Sequence, residues 1–469
     1  MRLLIVTAIT MFFLIPHTTL AHVKWFSEFS FADQPLTLRQ AMTPVYLGLV
    51  LLSIVVIGGM VLIDTRLNQF NWYNAINDWL TEQKENSVPV MRAAMAAVLL
   101  ISWASGAVLA PELISESQLL IWLQFVIGVL LIFKYTTPVA GLALLALYLI
   151  SGIEFGFFHL IDYLHYAGIG FYLFVSNHVN DRLRELGLPA LYATIGFSLM
   201  WLGYEKLIYP SWSLYLLAEN PQLTLGLDPV FFLQGAAFVE IALGYLLIIG
   251  LLERPLAAVI TLVFFTTTII FGKVEIIGHT PLHAALIVFL FSGAGTIYKP
   301  PIEIHEKINW RVAFATVNFV ILTFLVGVFY TTVAQWQFEL VREEETPAIV
   351  NAIDLAEQLP AEQIPVFTSI ELFPELDNGY NLHVTTENWK FTPELTGGPT
   401  FPGEGHAYVE INGRPAGQLY GEWFYLGKLL PGEYEVVVTL RGNDHSPFVV
   451  AGNPILTRQT FTVPASPAE

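Results

Sequence analysis

The chain has 469 residues, 55% of them hydrophobic and 13% charged. That charged fraction is about half the ~25% of a soluble domain and excludes a water-soluble enzyme. The 21 Lys+Arg against 39 Asp+Glu give a formal charge of −18, so the basic footprint that nucleic acid demands is missing. With no cysteine, the sequence excludes a disulfide scaffold, a thiolate-ligated copper centre, an iron–sulfur cluster and a cysteine nucleophile.

Residues 1–21 carry one basic residue, Arg2, then an apolar run from Leu3 to Ile15 and the small-x-small ending Thr19-Leu20-Ala21. This pattern reads as a secretory signal peptide cleaved before His22. An uncleaved span is disfavoured because the apolar run is short for a ~30 Å hydrocarbon core.

Ten stretches of about 17–23 residues then read as membrane helices: 44–63, 88–110, 117–134, 138–158, 162–178, 190–209, 229–251, 255–275, 281–298 and 311–332. The first lies in an N-terminal segment, 22–87, that also holds a periplasmic stretch and a cytoplasmic loop. With the mature N-terminus outside, the cytoplasmic loops and flanks hold Arg66, Lys84, Arg92, Lys134, Arg182, Arg184, Arg254, Lys299, Lys307 and Arg311, whereas the other side holds Lys24, Arg39, Lys206 and Lys273. This asymmetry fits an even number of spans with both ends periplasmic.

Beyond Ala334 the composition changes to 19 acidic and 6 basic residues, which is −13 of the −18. Residues 333–371 read as an acidic linker with one short helix at 348–358, and 372–469 as a β-sandwich. Strand-like alternation marks His383–Thr385, Ala407–Ile411 and Tyr434–Leu440, Asn412-Gly413 is a hairpin signal, and Pro431-Gly432 precedes the longest strand.

The spans repeat. Gln124, Gly128, Pro138, Gly152, Glu154 and His159 recur in order as Gln234, Gly244, Pro255, Gly272, Glu275 and His279. The expected architecture is therefore a polytopic α-helical membrane protein in which two parallel four-helix units, 88–178 and 190–298, are flanked by single helices, the last at 311–332.

The second unit, with Trp201-Leu202-Gly203-Tyr204-Glu205-Lys206-Leu207, Phe238-Val239-Glu240, Gly244 and Phe271-Gly272, resembles the DoxX family of four-helix membrane proteins over about 110 residues. That family includes a small subunit of a quinone-linked thiosulfate oxidoreductase. The resemblance implies a bacterial inner-membrane location and a redox or quinone connection. The extra unit and the C-terminal domain depart from a simple family member, and no active-site motif carries over. The stretch Gly405-His406-Ala407-Tyr408 through Gly421-Glu422-Trp423-Phe424-Tyr425 to Asn443-Asp444-His445-Ser446 resembles a small secreted β-domain of bacterial envelope proteins, which supplies no reaction.

Eight histidines, His22, His159, His165, His279, His283, His383, His406 and His445, are expected outside, against His178 and His305 inside. Glu154, His159, Asp162 and His165 fall close together in one unit, and Glu275, His279 and His283 in the other, with Gly278 and Pro281 expected to break the helix between the last two. Imidazole with carboxylate suits copper, iron or zinc. Interfacial helix capping and a quinone headgroup site are the competing readings. His22 offers a metal its α-amino and ring nitrogens if cleavage exposes it, and His406 and His445 are further candidate ligands near turns of the β-domain.

Glu205, Lys206 and Glu240 form a second candidate set, for a cofactor or a proton path, because Glu240 falls near mid-span and needs a partner or a proton. The expected function is a metal-dependent or quinone-linked redox component at the periplasmic face. The alternatives are a transporter for a metal ion or small solute and a non-catalytic assembly factor. The expected partners are the lipid bilayer and, through the β-domain, an envelope redox protein.

Overall fold

A computed structural model describes residues 24, 29, 31, 33–224, 226–345, 353–374, 379–396, 398–429 and 432–464. The expected signal peptide and His22 lie outside the described residues. The chain divides into two compact units, Met1–Phe29 with Leu36–Val333, and Ser30–Pro35 with Ala334–Glu469.

The first unit is helical: α1 (Leu38–Ala41), α2 (Pro44–Leu67), α3 (Asn71–Glu82), α4 (Ser87–Ala104), α5 (Gln118–Ile132), α6 (Thr137–Phe155), α7 (Phe157–Leu160), α8 (Leu164–Val175), α9 (Asp181–Glu185), α10 (Gly187–Ile208), α11 (Pro210–Glu219), α12 (Pro229–Ile249), α13 (Glu253–Phe271), α14 (Lys273–Ser292) and the start of α15 (Ile308–Glu345). Local chemistry sets several ends. Thr43 accepts the Tyr46 N–H ahead of Pro44, and Asp228 accepts the Phe231 N–H ahead of Pro229, each a side-chain cap with proline at the first helical position. Gly250, at φ 69°, stops α12 in the left-handed conformation.

Among the described residues, seven segments are long and apolar enough to cross a membrane: Pro44–Leu67, Lys84–Ala104, Lys134–Phe155, Asp181–Ile208, Pro229–Ile249, Lys273–Ser292 and Ile308–Leu340. Their outward side chains are apolar too; Leu51, Val55, Leu142, Ile153 and Val239 are all exposed. Such an apolar surface is what a lipid-facing helix presents.

Eight helices pack in a closed cycle. Each of α4, α5, α6, α8, α10, α12, α13 and α14 packs on the next, and α14 returns to α4. Glycines allow the closest approaches. Gly141 meets the backbone of Gly170 and Leu173 between α6 and α8, and Gly196 meets Gly244 between α10 and α12; small residues let helix backbones touch where lipid supplies no hydrophobic drive. α2 packs on α12. The Tyr204 hydroxyl contacts Tyr46 at 3.3 Å and donates to the Thr323 carbonyl of α15 at 2.5 Å.

Two local expectations are corrected. α14 runs unbroken through Pro281, so the segment begins at Lys273 rather than 281, and Glu275, His279 and His283 share one helical stripe. A membrane helix tolerates an internal proline where neighbouring groups re-satisfy the freed backbone. Residues 159–165 are not one continuous helix. α7 gives way to a 3₁₀ turn at Ile161–Tyr163 before α8 begins, and His159 and Asp162 take different partners, Glu112 and Lys24. Residues 71–82, read from sequence as loop, form the helix α3.

The second unit is built of strands, the three expected ones falling in β3, β5 and β8: β1 (Ile353–Asp354), β2 (Val366–Pro374), β3 (Gly379–Glu387), β4 (Lys390–Phe391), β5 (Glu404–Ile411), β6 (Arg414–Leu419), β7 (Trp423–Lys428), β8 (Gly432–Arg441), β9 (Phe448–Val450), β10 (Asn453–Pro454) and β11 (Leu456–Val463). They pair as β11-β8-β5-β4 with β6 on β5, as β2-β3-β7, and as β1-β9-β10. Leu382 and Val384 of β3, Ala407 and Val409 of β5, Leu419 of β6, and Val436, Val438 and Leu440 of β8 form one buried core. The period-two spacing within β3, β5 and β8 is what turns these residues to one face. Asn412 and Gly413, at φ 53° and 72°, make the two-residue turn between β5 and β6. The short helix expected at 348–358 is not found over its described part, where β1 and a 3₁₀ turn at Leu355–Glu357 stand; Asp354 accepts the Ala356 N–H and starts that turn.

Candidate functional site

Three ionisable side chains meet inside the helical unit. The Lys24 ammonium lies 2.5 Å from Asp162 Oδ2 and 2.6 Å from Glu205 Oε2, with all three side chains 5% exposed or less. Asp162 comes from the 3₁₀ turn ahead of α8, and Glu205 from the last turn of α10. The second Asp162 oxygen accepts the Trp201 indole N–H at 3.0 Å. The Phe29 and Trp212 rings lie 5.5 and 5.4 Å from the ammonium, and Trp212 stacks on Tyr209 at 4.0 Å. Carboxylates at this distance make charge-assisted hydrogen bonds with an ammonium, and aromatic faces add cation–π attraction.

Asp162 and Glu205 were both legible as candidates, in two different sets. Their common partner was not, since nothing near Lys24 in sequence marks it out except that it is the first basic residue after the expected cleavage point. Adjacent Lys206 turns the other way and pairs with Glu240 at 2.7 Å, the partnership that a carboxylate within a span requires. The three residues Glu205, Lys206 and Glu240 therefore belong to two ion pairs, not one.

The remaining expected ligands disperse. Glu154 is exposed; it accepts from Ser115 Oγ at 2.8 Å and from the Glu116 N–H at 2.9 Å. It ties down the loop after α4 at the exposed surface, whereas Glu275 is buried. His159 Nε2 lies 2.8 Å from Glu112, a residue that no sequence signal selected, and Tyr163 donates to the same carboxylate oxygen.

His165 is buried and neither ring nitrogen makes a hydrogen bond among the described residues. His279 lies within electrostatic reach of both His165 and His283. His279 is 3.1 Å from Glu275, and its ring stacks on Phe264 at 4.4 Å. Among the described residues, no group of three His, Asp or Glu side chains is arranged to hold a metal ion.

In the β unit, His406 Nε2 and His445 Nδ1 are 3.1 Å apart. Tyr408 lies 3.4 Å from the same His445 nitrogen and beneath the Arg441 guanidinium at 4.2 Å. Burial, then His445 and Arg441, push the His406 imidazole down to about 4.

At the far ends of these helices, a cavity of about 570 Å³ is lined by Asp64, Asn77, Glu253, Arg254, Glu303 and Arg311, among others. Its two arginines are engaged: Arg311 with Asp64 at 2.9 Å, and Arg254 with the Asn77, Leu290 and Phe291 carbonyls and with Thr81. Glu240 and the cavity wall at Gly250 are ten residues apart on α12, ~15 Å along a helix.

No family model, curated protein or solved structure matches this chain.

Proposed function

We propose that the protein is a transporter that carries a small cation along the seam between two helical units. The reading includes the finer architecture: ten spans in the bacterial inner membrane, a DoxX-like second unit, and a periplasmic N-terminus and β-sandwich. The observation that carries it is the sharing of one buried ammonium by Asp162 and Glu205, which come from opposite sides of that seam. Buried ionisable groups are costly in a membrane and mark ion or proton paths.

Two features support it. The last helix of each proposed unit packs on the first helix of the other, α8 on α10 and α14 on α4, the reciprocal contact that two parallel repeats make around a pseudo-twofold axis. A polar cavity lies at the other ends of the helices, where a path between the units would open. Purified full-length protein in proteoliposomes is the test. A cation gradient should drive a current that Asp162→Asn and Glu205→Gln each lower at least tenfold. Flux equal to that of empty liposomes across alkali, divalent and alkylammonium cations would reject the reading.

A metal-dependent or quinone-linked redox component is the second reading, favoured by one observation: His279, 3.1 Å from Glu275, lies within electrostatic reach of both His165 and His283. Elemental and absorbance analysis of the purified protein tests it. Stoichiometric copper, iron or zinc, or a bound quinone, should disappear in the His165→Ala/His279→Ala variant; if the wild type carries neither, this reading fails. In either case the β-domain is the surface offered to an envelope partner.

A further inference from the structure

We infer that the cage around Lys24 is an alkylammonium site, and that Lys24 is its tethered occupant. The cage has the three parts that select such a cation: two carboxylates, two aromatic faces and burial. It also has more capacity than Lys24 uses. Glu205 Oε1 is buried with no hydrogen-bond partner among the described residues. The Tyr330 hydroxyl of α15 is likewise buried and unpartnered, within electrostatic reach of both Asp162 and Glu205. Buried polar groups in native proteins are satisfied by protein, water or a ligand, so two unspent groups beside an ion pair point to a species that the site holds when Lys24 does not fill it.

The delivery of Lys24 is the final point. It lies upstream of α1, as Phe29 does, whereas the other cage walls are Asp162 of the 3₁₀ turn and Glu205, Trp201, Trp212 and Tyr330 of the packed helices. Withdrawing the lysine leaves those walls standing, and the vacated position matches the head group of an external primary amine. A tethered group competes at high effective concentration, so the wild type should admit the free amine poorly.

The inference rests on the proposed cation path, but it is read by binding without transport, so the two can fail separately. In full-length detergent-purified Lys24→Met, n-butylammonium should raise the melting temperature in a saturable way, as a ligand of the native state does. It should leave wild type and Lys24→Met/Glu205→Gln unchanged. A Lys24→Met protein recoverable in folded form only with the amine present would support the inference equally. No response of Lys24→Met to the amine, or no recovery with or without it, would overturn it.

The absence of native cysteine makes Lys24→Cys a unique thiol and gives a second measurement. Aminoethyl methanethiosulfonate should label it at least tenfold faster than the anionic sulfonatoethyl reagent, and Asp162→Asn/Glu205→Gln should abolish the preference. Equal rates, or no labelling by either reagent, would count against the site.

Discussion

Gly196 and Gly244 face each other so closely that a Cβ built on either would sit 2.5 or 2.3 Å from the other's carbonyl oxygen. The contact holds α10 against α12, and with it the two helices that carry Glu205, Lys206 and Glu240. A backbone oxygen cannot rotate aside as a side chain can, so any larger residue must push the helices apart. Gly244→Ala should cost about 1–3 kcal/mol, the usual range for overpacking, read as a lower melting temperature in detergent. Gly235→Ala, where a Cβ meets nothing within 4 Å, should be close to neutral. Equal effects of the two would discount the close approach.

The Lys24 cluster predicts an order of severity. Lys24→Met leaves two buried carboxylates facing each other and should cost about 3–5 kcal/mol, as removal of one partner from a buried ion pair does. Asp162→Asn leaves Lys24 balanced one-to-one by Glu205 and keeps an oxygen for the Trp201 indole, so its cost should be smaller. Melting temperatures of the two variants in the same detergent decide the order, and the reverse order would argue against the lysine as the hub.

For Lys206 and Glu240 the prediction is non-additivity. Lys206→Met strands Glu240 in a span, where a lone charge costs ~2.5–3.5 kcal/mol on insertion scales. Glu240→Gln strands the lysine. The double variant should lie closer to wild type than the sum of the single effects. Strict additivity in a double-mutant cycle would mean that the 2.7 Å pair contributes nothing.

His406 gives a pH dependence with a definite sign. Its folded value of about 4 lies below the ordinary 6.5, so between those values the unfolded chain takes up a proton that the native β unit resists. Stability should therefore fall as pH drops from 6.5 towards 4, by at most about 1.4 kcal/mol per pH unit from this group. It should show no contribution from it above that window. Hydrogen exchange over residues 353–464 of the full-length protein would show the trend, and His406→Gln should flatten it. A slope unchanged in His406→Gln would assign it elsewhere.

Much of the fold could be read from single residues in context. Thr43-Pro44 and Asp228-Pro229 announce helix starts, Asn412-Gly413 announces a hairpin, and the alternation in Tyr434–Leu440 announces β8, because each depends on neighbours within a few positions. Pro281 misled for the same reason: its local rule is a helix break, and the membrane context overrides it. The candidate site was half legible. Asp162, Glu205 and Glu240 stand out as charges in or beside apolar spans, whereas Glu112 and Lys24 lie in ordinary polar surroundings and become notable only through what they touch.

The sequence by itself determined the membrane character, the long apolar helices, the three strongest strands and the acids that had to find partners, since transfer energies and backbone periodicity act residue by residue. Tertiary structure alone decided which charge meets which. Lys24 and Asp162 are 138 residues apart, and Glu205 and Lys206 are neighbours that serve different partners. Ion pairing in a buried setting depends on distance in space and on exclusion of water, and neither is encoded in the spacing along the chain.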